Sequence, residues 1–261
     1  MKSRPGGGNA TEKILAVLQA LAEHERIVDI AKATDLPKST VHRILQSLVE
    51  HEFALNAGDG RYLGGPRILT LAGRLMSSFD PAQHADGTLR TLREETGYTV
   101  HFGLLAGDEA VYAAKVEGKK PYHMPSRVGM SIRLHTTAIG KAIMAAMPDD
   151  AVRALLDRTG MEGRTPKSIT DPEGLLADLA AIRARGYSID DEENEPGIRC
   201  VGAVVFDHTG RPSGAVSLST LSMEPWQSPL DELGGQVRRA AAEISASLGA
   251  PRDAPHDAPV T

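Results

Sequence analysis

The chain has 261 residues, enough for two domains that each bury a core, and its 41% hydrophobic and 24% charged composition excludes a disordered chain. No run of about 18 apolar residues is present to span a membrane, and the first eight residues lack the apolar segment of a secretion signal, so a cytoplasmic protein with no membrane partner is expected. A single cysteine, Cys200, excludes an internal disulfide, and a net charge of −5 excludes a broadly basic surface, so that any contact with nucleic acid must come from a local patch.

Residues 1–10 and 250–261 are rich in Gly, Pro, Ala and Asp and are expected to be mobile ends. Thr11 is placed to cap a first helix whose apolar face is Ile14, Leu15, Leu18 and Leu21. A short second helix spans 28–34. Asp35 takes the turn after it, because Asp tolerates left-handed geometry, and Pro37 suits the first turn of a third helix. In that helix Val41, Ile44, Leu45, Leu48 and Val49 fall at i, i+3, i+4, i+7 and i+8, a single buried stripe. The other face offers Lys38, Ser39, Thr40, His42, Arg43 and Gln46, donors suited to phosphates and base edges. The pattern is a helix-turn-helix.

Residues 53–55 and 61–63 then read as a hairpin about a glycine-rich turn at 56–60, which makes a wing, with Arg61 placed to touch the DNA backbone or a minor groove. Together, residues 11–64 form the expected DNA-binding domain. Gly64, Gly65 and Pro66 break the chain, and Ile68, Leu69, Leu71, Ala72, Leu75 and Met76 give the apolar face of a linker helix within 65–80 that also helps dimerise. Residues 1–80 carry 10 Lys+Arg against 9 Asp+Glu, so one module would hold a site loosely and pairing is expected.

Residues 81–249 alternate between helical and extended patterns. Helices are expected at 89–96, from 138, at 149–157, 171–185 and 229–248; strands at 100–105, 110–116, 201–206 and 215–221. Short turns between strands imply an α+β domain with a mostly antiparallel sheet. Thr137 is placed to cap the helix from Ala138, and the free amides of Ala138 and Ile139 there favour an anion such as a carboxylate. Ser217 and Ser219 alternate along one strand, so both hydroxyls face one way.

Other chemistry is weakly signalled. Gly140-Lys141 lacks the first glycine and the Ser/Thr of a phosphate-binding loop. Nine histidines show no metal-ligand spacing, so neither a metal nor a cofactor is expected. Cys200 opens an apolar run, which suits a buried thiol better than a nucleophile beside His123, His135 and Asp190.

The sequence resembles the IclR family of bacterial transcriptional regulators over about residues 11–249. Residues 36–45 resemble its recognition helix; Gly186, Asp190, Glu193, Cys200, Val201, Gly202, Val205, Phe206 and Asp207 resemble its C-terminal signature. The resemblance implies a winged helix-turn-helix, a linker helix and a GAF-like effector-binding domain that assembles homodimers or homotetramers. It also implies transcriptional control through a double-stranded DNA operator and a small-molecule effector, an organic acid. Effector contacts are implied for Met124, Ile132, Ala138, Ile139, Asp190, Ile198, Cys200, Ser217 and Ser219, with Asp190 disfavouring a second carboxylate at its end of the ligand. No catalysis is implied. The alternatives are an enzyme built on Cys200 or an architectural DNA-binding protein without an effector.

Overall fold

The computed structural model describes residues 9–76 and 79–251. The ends expected to be mobile at 1–8 and 252–261, and the 77–78 part of the linker, lie outside these. The chain divides into two compact units, Met1–Phe79 and Asp80–Thr261.

In the first unit α1 (Ala10–Leu21) is capped by Asn9 rather than Thr11: the Asn9 side chain accepts from Glu12 N, and the Glu12 carboxylate accepts from Asn9 N. This capping box, with its acid three residues after the cap, satisfies two otherwise orphaned amides. The buried face of α1 is Val17, Ala20 and Leu21, while Ile14 and Leu15 are 43% and 53% exposed. The expected stripe is therefore displaced toward the C-terminal turns, where Val17, Ala20 and Leu21 join the core of the unit. Next, α2 (Ile27–Thr34) ends at Asp35, left-handed at φ 53° and ψ 36°, as the turn requires. Pro37 immediately precedes α3 (Lys38–Glu50), which buries Val41, Ile44, Leu45 and Leu48, with Val49 half-buried.

The wing is β1 (Ala54–Gly58) paired antiparallel with β2 (Arg61–Gly64). Its turn is only Asp59-Gly60, both at positive φ, the tight hairpin geometry that matches strand twist. Tyr62 N donates to Glu25 O at 2.7 Å and Ile27 N to Gly60 O at 3.1 Å, so the wing is sewn to the turn before α2. At Gly65 a Cβ would lie 2.1 Å from Glu52 O, whereas at Gly64 it would meet only Ile68 Cδ1 at 3.7 Å. Gly65→Ala is thus expected to cost about 1–3 kcal/mol through forced backbone movement. Gly64→Ala serves as the mild control; equal urea midpoints for the two variants would contradict this. The chain continues into α4 (Pro66–Met76), on which Leu69 is 75% exposed.

The second unit opens with α5 (Pro81–Thr96), capped by Asp80 and beginning eight residues earlier than its apolar pattern suggests, since its first two turns bury only Ala85. It continues through β3 (Thr99–Ala106), β4 (Glu109–Val116), β5 (Ser131–Ile132), α6 (Ala138–Ala145), α7 (Asp149–Thr159) and α8 (Pro172–Arg185). After these come β6 (Ser188–Asp191), β7 (Ile198–Phe206), β8 (Pro212–Leu221) and α9 (Leu230–Ser247). The sheet runs β5-β4-β3-β8-β7-β6, every pair antiparallel. Strands β5 and β6, of two and four residues, are too short to show an alternating pattern and escape the sequence reading. Helix α6 lies directly on the sheet because β3 and β7 carry glycines beneath it: a Cβ at Gly103 would be 3.0 Å from Ile139 Cγ2, and one at Gly202 3.1 Å from Ala138 O. The α5–α9 pair packs on β3, β7 and β8.

Candidate functional site

On α3 the side chains of Lys38, Ser39, His42 and Arg43 are exposed and Thr40 is half-buried, with Ser39, His42 and Arg43 turned away from the buried stripe. No carboxylate among the described residues pairs with Lys38 or Arg43. Arg61 directly follows the wing turn and sits 3.8 Å from Glu25, both well exposed, a pair too solvated to hold the guanidinium against a phosphate. This exposed helix face therefore offers several hydrogen-bond donors.

In the second unit a cavity of about 50 Å³ lies at the N-terminus of α6 against the sheet. It is lined by eight of the nine residues implied by the family resemblance: Met124, Ala138, Ile139, Asp190, Ile198, Cys200, Ser217 and Ser219. The ninth, Ile132, is not among them. Two-residue β5 turns it into the hydrophobic core with Leu134, Ala142 and Ile143. Antiparallel register assembles the polar wall, with Cys200 opposite Ser219, His101 opposite Ser217 and Asp190 opposite Cys200. Thr137 Oγ1 accepts from Gly140 N at 3.0 Å as the expected cap, and Thr137, Ala138 and Ile139 at this helix start line the cavity.

Several lining residues escaped the sequence reading, chiefly His101, Tyr112, Ser126, Asn194 and Glu195. His101 is the most informative. Its Nε2 lies 2.7 Å from Ser126 Oγ, its Nδ1 3.3 Å from Ser219 Oγ, and its ring 4.8 Å from that of Tyr112. Burial, reinforced by the nearby Lys115 ammonium, pulls its pKa down to about 3, so the imidazole is neutral. Lys115 in turn donates to the Met124 and Ser126 carbonyls, tying their loop to the sheet. The only sequence signal for His101 was a histidine inside an apolar strand.

Burial pushes the Asp190 carboxyl up to about 7, with Glu193 repulsion adding to the shift and donation from the Glu193 and Asn194 amides opposing it. The expected fixed negative charge is therefore corrected to a group poised between acid and anion near neutral pH. The Cys200 thiol, 3.2 Å from Ser219 Oγ, is pushed well up by burial and then by Asp190, which keeps it a thiol. His123 is exposed beside Glu117 and His135 faces Glu162 O, so neither borders the sulfur.

Lys141, read only as a false phosphate-loop residue, is 1% exposed and donates to Asp178 Oδ2 at 2.8 Å and Glu193 Oε1 at 2.6 Å. It anchors the loop that follows Asp190. Burial raises the Glu193 pKa, and Lys141 opposes that rise.

Comparison with known proteins places both units. The chain matches the IclR helix-turn-helix domain over residues 10–55 and the C-terminal domain of bacterial IclR transcriptional regulators over residues 74–246. It is 36% identical to the HTH-type transcriptional regulator XynR of Escherichia coli K12, over 92% of this chain and 95% of that one. It is 31% identical to the regulator KdgR of the same organism, over 95% and 96%. Among solved structures, that of Thermotoga maritima IclR is 34% identical with a TM-score of 0.63, covering 92% of this chain and 99% of the other. The repressor BlcR of Agrobacterium tumefaciens is 27% identical with a TM-score of 0.72, covering 93% and 98%. With both domains matched in order and a relative above 30% identity along nearly its whole length, the chain belongs to the IclR family of DNA-binding, effector-controlled transcriptional regulators.

Proposed function

We propose that this regulator binds its operator through Lys38, Ser39, Thr40, His42, Arg43 and Arg61, and that a small organic acid in the α6 cavity controls that binding from the cytoplasm. The observation that carries the effector reading is the convergence of Ser217, Ser219, His101 and Asp190 on one cavity beneath the first turn of α6. A carboxylate fits at the Ala138 and Ile139 amides, where the helix dipole and free N–H groups favour negative charge. The serine hydroxyls supply donors of fixed direction. Met124, Ile139 and Ile198 make the apolar wall, and about 50 Å³ of free volume favours a short acid.

A thermal-shift panel of small acids, aromatic acids and amino acids tests this, because a ligand at ~100 times its Kd adds ~2.7 kcal/mol of apparent stability. Ser219→Ala is expected to lose the shift produced by the active acid while its operator footprint stays intact. A full shift in that variant would sink the site assignment.

The protonation of Asp190 gives the binding a pH signature. Above about pH 7 an ionised Asp190 sets a second negative charge beside a bound carboxylate, so affinity falls as pH rises and binding there takes up a proton. In Asp190→Asn the affinity should be flat across this range, as measured by calorimetry in buffers of different ionisation heat. A slope that persists in the variant would assign the proton elsewhere.

The near-neutral DNA-binding unit needs a second copy for avidity. The exposed Leu69 and Leu71 of α4, with Ile14 and Leu15 of α1, support pairing through these helices into dimers or tetramers. Leu69→Glu should lower the mass measured by light scattering and weaken operator binding together.

A further inference from the structure

Pairing of β3 with β4 sets His101 directly opposite Lys115, and pairing of β3 with β8 brings it to Ser217 and Ser219. The ring stands between two hydroxyls. Its Nε2 lies 2.7 Å from Ser126 Oγ and its Nδ1 3.3 Å from Ser219 Oγ. A neutral imidazole carries one proton, so the ring donates in one of these contacts and accepts in the other.

We propose that His101 carries that proton on Nδ1 and thereby makes Ser219 an obligate donor toward the α6 cavity, so that the effector must present an acceptor-only group there, such as a carboxylate. Two observations place the proton. Among the described residues, Ser126 Oγ has no acceptor other than Nε2, and its 2.7 Å contact has the length usual for a hydroxyl donor. Lys115 Nζ, which donates to Met124 O at 2.7 Å and Ser126 O at 2.8 Å, sets an ammonium on the Ser126 side of the ring. A cation there favours a lone pair on Nε2 over an N–H.

The consequence reaches the cavity through Ser219. Its Oγ accepts from Nδ1–H and from the Cys200 thiol at 3.2 Å, whose sulfur has no other hydrogen-bond partner among the described residues. Both lone pairs are then occupied, and the hydroxyl proton is left to point into the cavity that Ser219 lines. The opposite tautomer reverses this: Ser219 would give its proton to Nδ1 and turn a bare oxygen toward a bound acid. Selection of an acid in this way rests on the α6 cavity being the effector site, whereas the position of the His101 proton does not.

The first test needs no ligand. In the full chain with isotope-labelled histidine nitrogens, long-range nitrogen–proton correlation spectra distinguish the two tautomers, and His101→Gln identifies the signal. His101 should show Nδ1–H, although a free histidine side chain in water favours Nε2–H. Ser126→Ala, which leaves the Lys115 contacts to backbone carbonyls in place, should bring up the Nε2–H form. Nε2–H in the native protein, or a tautomer unmoved by Ser126→Ala, overturns the proposal. The second test is calorimetric titration with acceptor-only propionate and donor-only propylammonium at about pH 6, where Asp190 holds its proton. Propionate should bind the more tightly and should lose about 10- to 100-fold in His101→Leu, the worth of one hydrogen bond to a charged group. His101→Asn, which can still donate to Ser219, should recover most of that loss. Tighter binding of propylammonium, or a propionate affinity unmoved in His101→Leu, overturns the proposal as well. Failure of propionate to saturate while His101 shows Nδ1–H counts against the effector reading of the cavity and leaves the proton assignment standing.

Discussion

Arg43→Ala is expected to abolish the operator footprint at concentrations where the native protein protects fully, with the fold and the ligand-induced thermal shift unchanged. Arg43 is exposed on α3 between the buried Val41 and Ile44 and has no ion pair with a described residue, so its loss removes no internal support. Stability should move by no more than ~0.5 kcal/mol. A bidentate arginine–guanine contact is worth about 1–3 kcal/mol of discrimination. Two recognition helices on a two-fold operator double this, to a loss of roughly 30-fold to 10⁴-fold in affinity. Arg43→Lys should recover only part of it, because an ammonium keeps the charge but not the planar fork. A footprint that survives Arg43→Ala would remove this residue from the interface.

Lys141→Met should have the largest effect on stability. The ammonium is 1% exposed and is held by the Asp178 and Glu193 carboxylates, and removing it leaves the buried Glu193 without its counterion, while Asp178 keeps Arg185 at 3.6 Å. Breaking a buried pair in this way typically costs about 3–5 kcal/mol. For a unit of this size that corresponds to a fall in Tm of roughly 6–20 °C.

The loss should also carry a pH signature. Glu193 is already raised above its ordinary value of 4.5 by burial, and without Lys141 it rises further. A raised carboxyl binds its proton more tightly in the folded state, so the variant regains stability as pH falls from about 8 to about 5. A deficit equal at both ends of that range would mean that packing, and not charge, is what Lys141 provides. Since Glu193 N donates to Asp190 Oδ1 at 2.8 Å, the variant should also shift the pH dependence of effector binding.

The recognition helix was legible because every signal for it is local. A stripe at helical spacing, an Asp able to turn left-handed at 35 and a proline before Lys38 all lie within a few residues of one another. The same locality explains the misses in the first unit. Whether Ile14 and Leu15 face the core depends on where α2 and α3 stop, and hydrophobic spacing alone does not contain that. In the second unit, Ser217 and Ser219 could be read as a pair on one strand face. Asp190 and Cys200 were assigned to the pocket through family resemblance, which also implied Ile132, a residue that packs in the hydrophobic core beside α6. His101 was missed because it reaches the cavity only through the pairing of β3 with β8, more than a hundred residues later.

The winged helix-turn-helix, its donor-bearing face, the α+β character of the remainder and the family signature are all properties of short segments and their order, and so are readable along the chain. What those residues are chemically depends on contacts made across the fold. Antiparallel pairing brought strands distant in the chain around one cavity, and burial there made His101 neutral and left Asp190 at the edge of ionisation. Packing of α6 against α8 turned Lys141 from an apparent motif into a buried counterion. Hydrophobic periodicity and turn geometry are set by neighbours in sequence, whereas desolvation and charge pairing are set by neighbours in space.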